Sequence, residues 1–252
     1  MAVKKFGVVT HGDKTQGQRR EEMVKLMKEC PIPEDELLLN LGLHLVPQTL
    51  SRILFMDFLY RQILPVQGVI FDLGTRWGQN LSLFTSFRGI YEPFNRLRKI
   101  AAFDTFEGFN KLSDEDGKGR MMKEKGYAVT AGYEEYLSKV ISLQEEESPL
   151  AHIKKHEIVK GDASEEVKKY LERNPETIIS LAYFDFDLYK PTKEVLLTIS
   201  DRLTKGSVIG FDEINDHECP GETLAVKEVF GLSRYSIKRF PYNSRTSYLI
   251  VE

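Results

Sequence analysis

From about Gly68 onward, apolar residues come in short unbroken runs separated by longer segments of helical spacing. "GVIFDLG" (68–74), "KIAAFDTF" (99–106), "HEIVKGDA" (156–163), "IISLAYFDFD" (178–187) and "GSVIGFDEI" (206–214) read as strands, the first almost wholly apolar and so buried on both faces. Between them, "WGQNLSLFTSF", "GYEEYLSKVISLQEEE", "SEEVKKYLERN" and "KPTKEVLLTISDRL" space their apolar residues as helices do, and "GETLAVKEVFG" follows the fifth strand. Ser164 is a capping candidate for the third of these helices, and Pro191 sits in the first turn of the fourth. "YSIKRFP" and "TSYLIVE" close the chain as two strands joined by the turn-like "YNSR". Five strand–helix units predict an α/β fold with a mostly parallel, doubly wound sheet and right-handed crossovers. The final hairpin adds antiparallel pairing at one side, for seven strands in all.

The first 66 residues differ in character. "GQRREEMVKLMKE" and "PQTLSRILFMDFLYRQIL" read as amphipathic helices on either side of the Pro-containing "CPIPEDELLLNLGLHL". The expectation is one domain over 1–252, with a helical extension (1–66) on a sheet-containing core (67–252). "NKLSDEDGKGRMMKEKGYAVTAG" is a polar insertion after the second strand, of the kind that forms lids or binding loops.

Composition narrows the classes. The 252 residues carry a net charge of -3, which argues against a nucleic-acid binder or a basic membrane-surface protein. No apolar run approaches the length of a membrane span. Cys30 and Cys219 are far apart and lack metal-type spacing, so no disulfide framework is expected and a cytoplasmic location is the default. The acidic run near Glu145 reads as a solvated helix end.

In an open parallel sheet, ligands bind beyond the carboxyl ends of the strands. There the chain places "DLGTRWG", "FDTFEGF", "KGDA", the pair Asp185 and Asp187, and the pair Asp212 and Glu213. Gly74 and Gly78 permit a tight turn and close approach of a ligand to backbone N–H groups, although a plain strand-to-helix turn has the same look. The spacing is not the dinucleotide fingerprint, and Arg76 and Trp77 would crowd a pyrophosphate, which argues against a nicotinamide-dependent oxidoreductase. Asp104 is placed to accept hydrogen bonds from a ribose diol, or else to serve as a loop or capping aspartate. Asp162 fits an adenine amino group or a helix N-cap equally well. Glycine turn, ribose acid and adenine-side residue, in that order, resemble the S-adenosylmethionine-binding elements of class I methyltransferases, which also share the C-terminal hairpin.

Adjacent parallel strands lie about 5 Å apart, so acids ending the fourth and fifth strands can converge. Asp185 with Asp212 and Glu213 then requires a cation, and oxygen ligands select a hard one. Magnesium is the expected ion, with manganese, calcium or ferrous iron as substitutes. The alternative is a structural charge network with lysines such as Lys190, and His217 reads as a ligand, a base or a solvated loop residue. A metal beside a sulfonium donor suggests O-methyl transfer: the ion lowers the pKa of an acceptor hydroxyl and holds it in line. Asp187, or Asp185 in its place, is the base candidate. A non-catalytic binding module of the same fold would leave these acids without a purpose.

"DLGTRWGQNLSLF", "AFDTFEGF", "LAYFDFDLYKPTKEVL" and "GSVIGFDEIN…PGE" are similar to the macrocin O-methyltransferase (TylF) family of metal-dependent sugar O-methyltransferases. "VVTHGD" and "PIPEDELLLNLGL" extend the likeness over nearly the whole chain. The resemblance implies a Rossmann-like fold and a cofactor pocket lined by Gly74, Thr75, Arg76, Gly78, Asp104, Thr105, Phe106 and Asp162, to which Asp72, Ala163 and Asp185 are added as candidates. It implies metal binding by Asp185, Asp212 and Glu213, a nucleotide-activated sugar as acceptor, homo-oligomers, and closure of "NLGL", with Asn40 and Gly42, over the cofactor. One departure is that family members carry Asp-Asp where this chain has Asp212-Glu213. The second reading of the acceptor is a catechol-like aromatic diol. Basic residues near a diphosphate, for which Lys118, Arg120, Lys123 and Arg245 are available, favour the sugar, and aromatic walls favour the diol.

Overall fold

The computed structural model describes residues 14–119 and 122–252, so "VVTHGD" (8–13) and Arg120 lie outside the described residues. The chain divides into two compact units, 1–53 and 54–252. In the first, α1 (Lys14–Lys28) is followed by the short α2 (Glu34–Leu37), a 3-10 turn (Leu38–His44) and the start of α3 (Pro47–Gln62). Glu34, Asp35 and Glu36 fill the first turn of α2, where the helix dipole favours negative charge. Asn40, one turn further on, donates from Nδ2 to Glu36 O at 3.0 Å. Leu38, Leu39 and Leu43 are exposed, as are Val24, Leu26 and Met27 of α1.

The second unit holds the sheet. Its strands are β1 (Val69–Leu73), β2 (Ile100–Asp104), β3 (His156–Lys160), β4 (Ile179–Phe184), β5 (Leu203–Phe211), β6 (Lys238–Arg239) and β7 (Ser247–Ile250). Its helices are the remainder of α3, then α4 (Gln79–Tyr91), α5 (Tyr133–Glu146), α6 (Ala163–Arg173), α7 (Tyr189–Ile199) and α8 (Gly221–Val229). The strand order is β3-β2-β1-β4-β5-β7-β6. β1 to β5 run parallel, and β7 inserts antiparallel between β5 and β6. This is the α/β, Rossmann-like architecture that the alternation of runs predicts.

Register positions the site. Leu73 pairs with Phe103 on one side and Phe184 on the other, and Phe184 pairs with Phe211. The residues that follow, Gly74, Asp104, Asp185 and Asp212, therefore leave the sheet at one level. Beneath them lies a dry layer. Phe71 meets Phe103 and Tyr170 edge-on, and Phe184 stacks on Phe211. Each fully buried phenylalanine of this layer contributes about 1.5–3 kcal/mol relative to exposure.

The opposite end of the sheet is held by buried charge. Arg98 donates to Gly68 O, Ile63 O, Val66 O and Ser180 Oγ, and pairs with Glu92 through Nε at 2.8 Å. Glu145 corrects the expectation of a solvated helix end: it is 4% exposed and lies against Arg88 and His156 Nδ1. Burial pushes its carboxyl up, but the His156 contact, the Arg88 charge and the Lys155 N–H outweigh that and leave it below the usual range. The N-cap of α6 is Asp162, which accepts the Ser164 N–H at 2.9 Å, so the helix opens one residue before the capping candidate Ser164. Among the described residues, no helix is long and apolar enough to cross a membrane.

Candidate active site

The turn after β1 is wound tightly onto its neighbours. Gly74 has φ 92°, and a Cβ there would lie 2.1 Å from Asp185 O, so the glycine lets β1 and β4 close together below the acids. The Gly74 N–H goes to Phe103 O at 3.0 Å and that of Gly78 to Thr75 O at 2.7 Å. The Arg76 N–H goes to Asp104 Oδ2 at 2.7 Å. These three donors are committed within the protein, and Gly78 serves as the residue that opens α4. Thr75 is buried and its hydroxyl returns to Asp72 O at 3.2 Å. Asp72 is fully buried and accepts Asn80 Nδ2 at 3.4 Å.

Asp104 is pinned from two sides. Its second oxygen, Oδ1, accepts the Phe106 N–H at 2.6 Å. Burial raises its carboxyl above the ordinary range even against these two N–H groups and nearby Arg76. Thr105 closes the following turn through Gly108 O at 3.2 Å, and Phe106 adopts φ 58° there. Across the crevice, Ala163 is buried in the first turn of α6 beside its cap Asp162.

The insertion is stitched to this edge. Phe109 N–H donates to Gly126 O at 3.0 Å, and Lys125 N–H donates to Phe109 O at 2.8 Å. Tyr127 thereby stacks edge-on with Phe109, and the Arg76 guanidinium lies 4.6 Å from the Tyr127 ring centre. Trp77 meets Tyr133 edge-on at 4.8 Å. The other end of the insertion is anchored by Asp116, buried in a capping box with Ser113. Its Oδ1 accepts the Tyr189 N–H at 2.6 Å.

Beyond β4 and β5 the acids gather. One carboxylate oxygen from each of Asp185, Asp187 and Glu213 lies within 4.8 Å of the others. Asp187 is 5% exposed with φ 58°, and Glu213 is 2% exposed. Burial raises Glu213 well above the usual carboxylate range, and the charges of Asp187 and Asp212 add to it. Burial likewise raises Asp187, with the hydrogen bond to Glu213 opposing. Glu213 Oε1 pairs with Arg245 on the β6–β7 loop, and no N–H or hydroxyl group reaches its buried Oε2, the contact left to this side chain being the carboxyl–carboxyl one with Asp187. Asp212 lies next in the chain but accepts the Tyr183 hydroxyl at 2.8 Å. His217 points into solvent, its side chain 92% exposed.

Two groups escaped sequence reasoning. Glu222 in the first turn of α8 is fully buried, and its Oε2 accepts the Glu213 N–H at 3.1 Å. An acid directly after "PG" at a helix start was the available signal, but such residues are common as dipole partners. Asp116 was readable as the end of the capping box "SDED", although nothing local reveals its bond to Tyr189.

The strand order, with an antiparallel strand inserted beside β5 and the acids at the carboxyl ends, defines a class I methyltransferase fold. No protein-family model and no curated protein matches the sequence. Solved structures do. The chain is similar to CalS11, a calicheamicin methyltransferase, at 39% identity over 99% of both chains, with a TM-score of 0.93. It is similar to apo CalS11, described as a TDP-rhamnose 3'-O-methyltransferase of calicheamicin biosynthesis, at 38% identity over 96% of both chains and a TM-score of 0.84. The O-methyltransferase NovP, at 15% identity over 80% of this chain and 79% of its own, shares the fold with a TM-score of 0.57. The chain belongs to the macrocin O-methyltransferase (TylF) family that its motifs resemble, and it is an S-adenosylmethionine-dependent O-methyltransferase.

Proposed function

We propose that this enzyme methylates a hydroxyl of a nucleotide-activated sugar, with a divalent cation, magnesium in the cell, held by the acids beyond β4 and β5. The observation that carries the reading is the convergence of Asp185, Asp187 and Glu213, the last two of them buried. Three carboxylates so placed repel one another unless protons or a cation intervene, and an all-oxygen donor set suits a hard ion. Asp185 and Glu213 would hold the ion, with Asp212 the third acid that the family resemblance implies. The match to a TDP-rhamnose methyltransferase supports the acceptor class.

S-adenosylmethionine supplies an electrophilic methyl carbon on sulfur, and a divalent ion supplies charge that favours the alkoxide form of a hydroxyl. The remaining work falls to the chain. Asp104, its carboxylate fixed by the Arg76 and Phe106 N–H groups, keeps lone pairs for the two ribose hydroxyls. The turn 74–78 and the start of α6, with Asp162 and Ala163, flank the nucleoside. Asp187 takes the acceptor proton as the oxygen attacks. The Asp116 bond to the Tyr189 N–H, two residues on, holds the segment of Asp187 in place, and the Tyr127 ring of the insertion lies over Arg76. The assembly is homo-oligomeric in this reading, its interface covering the exposed leucines 38, 39 and 43.

A catechol-like acceptor is the second reading, and the grouping of Phe109 and Tyr127 about Arg76 favours it. A panel of nucleotide sugars and catechols incubated with labelled S-adenosylmethionine separates the two, with the product read by mass and NMR. EDTA should abolish turnover and magnesium restore it; turnover indifferent to EDTA removes the ion. Asp187→Asn should lose turnover while keeping cofactor affinity, and normal turnover in that variant removes the base.

A further inference from the structure

We propose that Arg245 determines which divalent ion the acidic site prefers, by restricting Glu213 to a single free carboxylate oxygen. The inference rests on the metal reading above and concerns residues of the C-terminal hairpin, far in sequence from the acids they act on.

Glu213 is buried, and its two oxygens have different surroundings. Oε1 is held by Arg245 Nη2, whereas no N–H or hydroxyl group reaches Oε2, and the side chain's other neighbour is the Asp187 carboxyl. The guanidinium also grips Asp216 through Nε at 3.0 Å. The segment carrying both acids is braced. Glu213 N–H donates to Glu222 Oε2 at 3.1 Å, Asn215 N–H donates to Thr223 Oγ1 at 2.8 Å, and Asn215 sits at φ 65°. Glu213 therefore cannot swing its carboxylate freely, because its main chain and one oxygen are both fixed. Arg245 reaches the site from the loop between β6 and β7, where its side chain stays 44% exposed and its backbone N–H bonds Asn243 Oδ1 at 3.1 Å.

A carboxylate with one oxygen committed to a guanidinium offers a cation one ligand atom. Magnesium takes six ligands in a tight octahedron and binds carboxylates through single oxygens. Calcium takes six to eight ligands and commonly uses both oxygens of a glutamate. Glutamate at 213 has the length to reach the hairpin arginine through Oε1 and still keep a carboxylate oxygen within 4.8 Å of oxygens of Asp185 and Asp187. The Arg245 pairing thus selects the small octahedral ion against the larger one. Loss of its positive charge strengthens the attraction of any divalent ion, but that effect cancels in the ratio of two ions of equal charge.

The test is calorimetric titration of the full-length protein with magnesium chloride and, separately, calcium chloride, with no acceptor present. Arg245→Gln should lower the ratio Kd(Ca)/Kd(Mg) about tenfold, the lower end of what loss of an outer partner of a metal ligand commonly does to affinity. Asp216→Asn, which loosens the guanidinium without touching Glu213, should shift the ratio the same way by less. Glu213→Asp, one methylene shorter, should make the ratio insensitive to Arg245. Circular dichroism checks that each variant folds, and Asp216→Asn supplies the answer should Arg245→Gln not. A ratio unchanged in both, with both ions still binding, overturns the inference alone. A wild-type protein that binds neither ion overturns the metal reading and this inference with it.

Discussion

Replacing Gly221 by alanine sets local preference against tertiary packing. Gly221 opens α8, and in a helix alanine is favoured over glycine by about 1 kcal/mol. A Cβ at this position, however, would stand 2.5 Å from Tyr189 N, 2.9 Å from Asp187 O and 2.9 Å from Leu188 C, all of them backbone atoms. Ordinary contact begins near 3.4 Å, so Tyr189 N would have to retreat by 3.4 − 2.5 = 0.9 Å. That atom is tied to Asp116 Oδ1 at 2.6 Å, and Leu188 O is tied to Thr192 Oγ1 at 2.6 Å, so the segment has little slack. Overpacking costs about 1–3 kcal/mol, which exceeds the propensity gain and leaves a net loss of about 1 kcal/mol. The effect on chemistry should be larger. Displacing the segment that carries Asp187 by nearly an ångström costs about a hundredfold in turnover. Cofactor affinity should hold, since Asp104 and the turn after β1 lie outside the disturbed segment. Urea unfolding, calorimetry with S-adenosylmethionine and single-turnover kinetics on Gly221→Ala read the three quantities separately. A higher urea midpoint combined with wild-type turnover would refute the reasoning, because helix propensity would then have prevailed over the clash.

Asp104→Ala should weaken S-adenosylmethionine binding at least tenfold in calorimetry, about 1.4 kcal/mol, since it also frees the Arg76 and Phe106 N–H groups; an unchanged Kd means the nucleoside lies elsewhere. Arg98→Met should cost about 3–5 kcal/mol in urea unfolding by taking the buried guanidinium away from half-buried Glu92 and from the Gly68, Ile63 and Val66 carbonyls, with little change in kcat for whatever protein remains folded. Carboxyls raised by burial at Asp187, Glu213 and Glu222 make the native state hold more protons than the unfolded chain. The ion-free protein should therefore lose stability as pH rises from the unfolded carboxylate range through the raised native values, and magnesium should restore it. For the same reason magnesium affinity should climb with pH and binding should release protons, seen as a buffer-dependent heat; affinity independent of pH would contradict the raised carboxyls.

Much of this was readable along the chain because its causes are local. A strand buried on both faces is mostly apolar, so "GVIFDLG" and "IISLAYFDFD" announce themselves, and Asp185 marks where β4 leaves the sheet, whereas Asp72 stays buried within β1. The alternation of such runs with helical spacing leaves few topologies, and the strands and final hairpin are found in that arrangement. What could not be read depends on partners distant in sequence. Glu145 looks like one of several solvated acids until α5 is laid against Arg88 and His156. Asp162 fits a cap or a ligand until the start of α6 is seen.

The acids divide in the same way. Their places at the ends of β4 and β5 follow from the sequence alone, since each acid comes directly after an apolar strand run. Pairing of Phe184 with Phe211 would set Asp185 beside Asp212, yet Glu213 joins Asp185 and Asp187 while Asp212 turns to Tyr183. Both chains abandon extended geometry at that level, so side-chain direction is set by the loops, by Glu222 beneath Glu213 and by Arg245 beside it. Composition and periodicity determined which groups arrive at the crevice. Only the packing of segments remote in sequence decided which of their oxygens face one another.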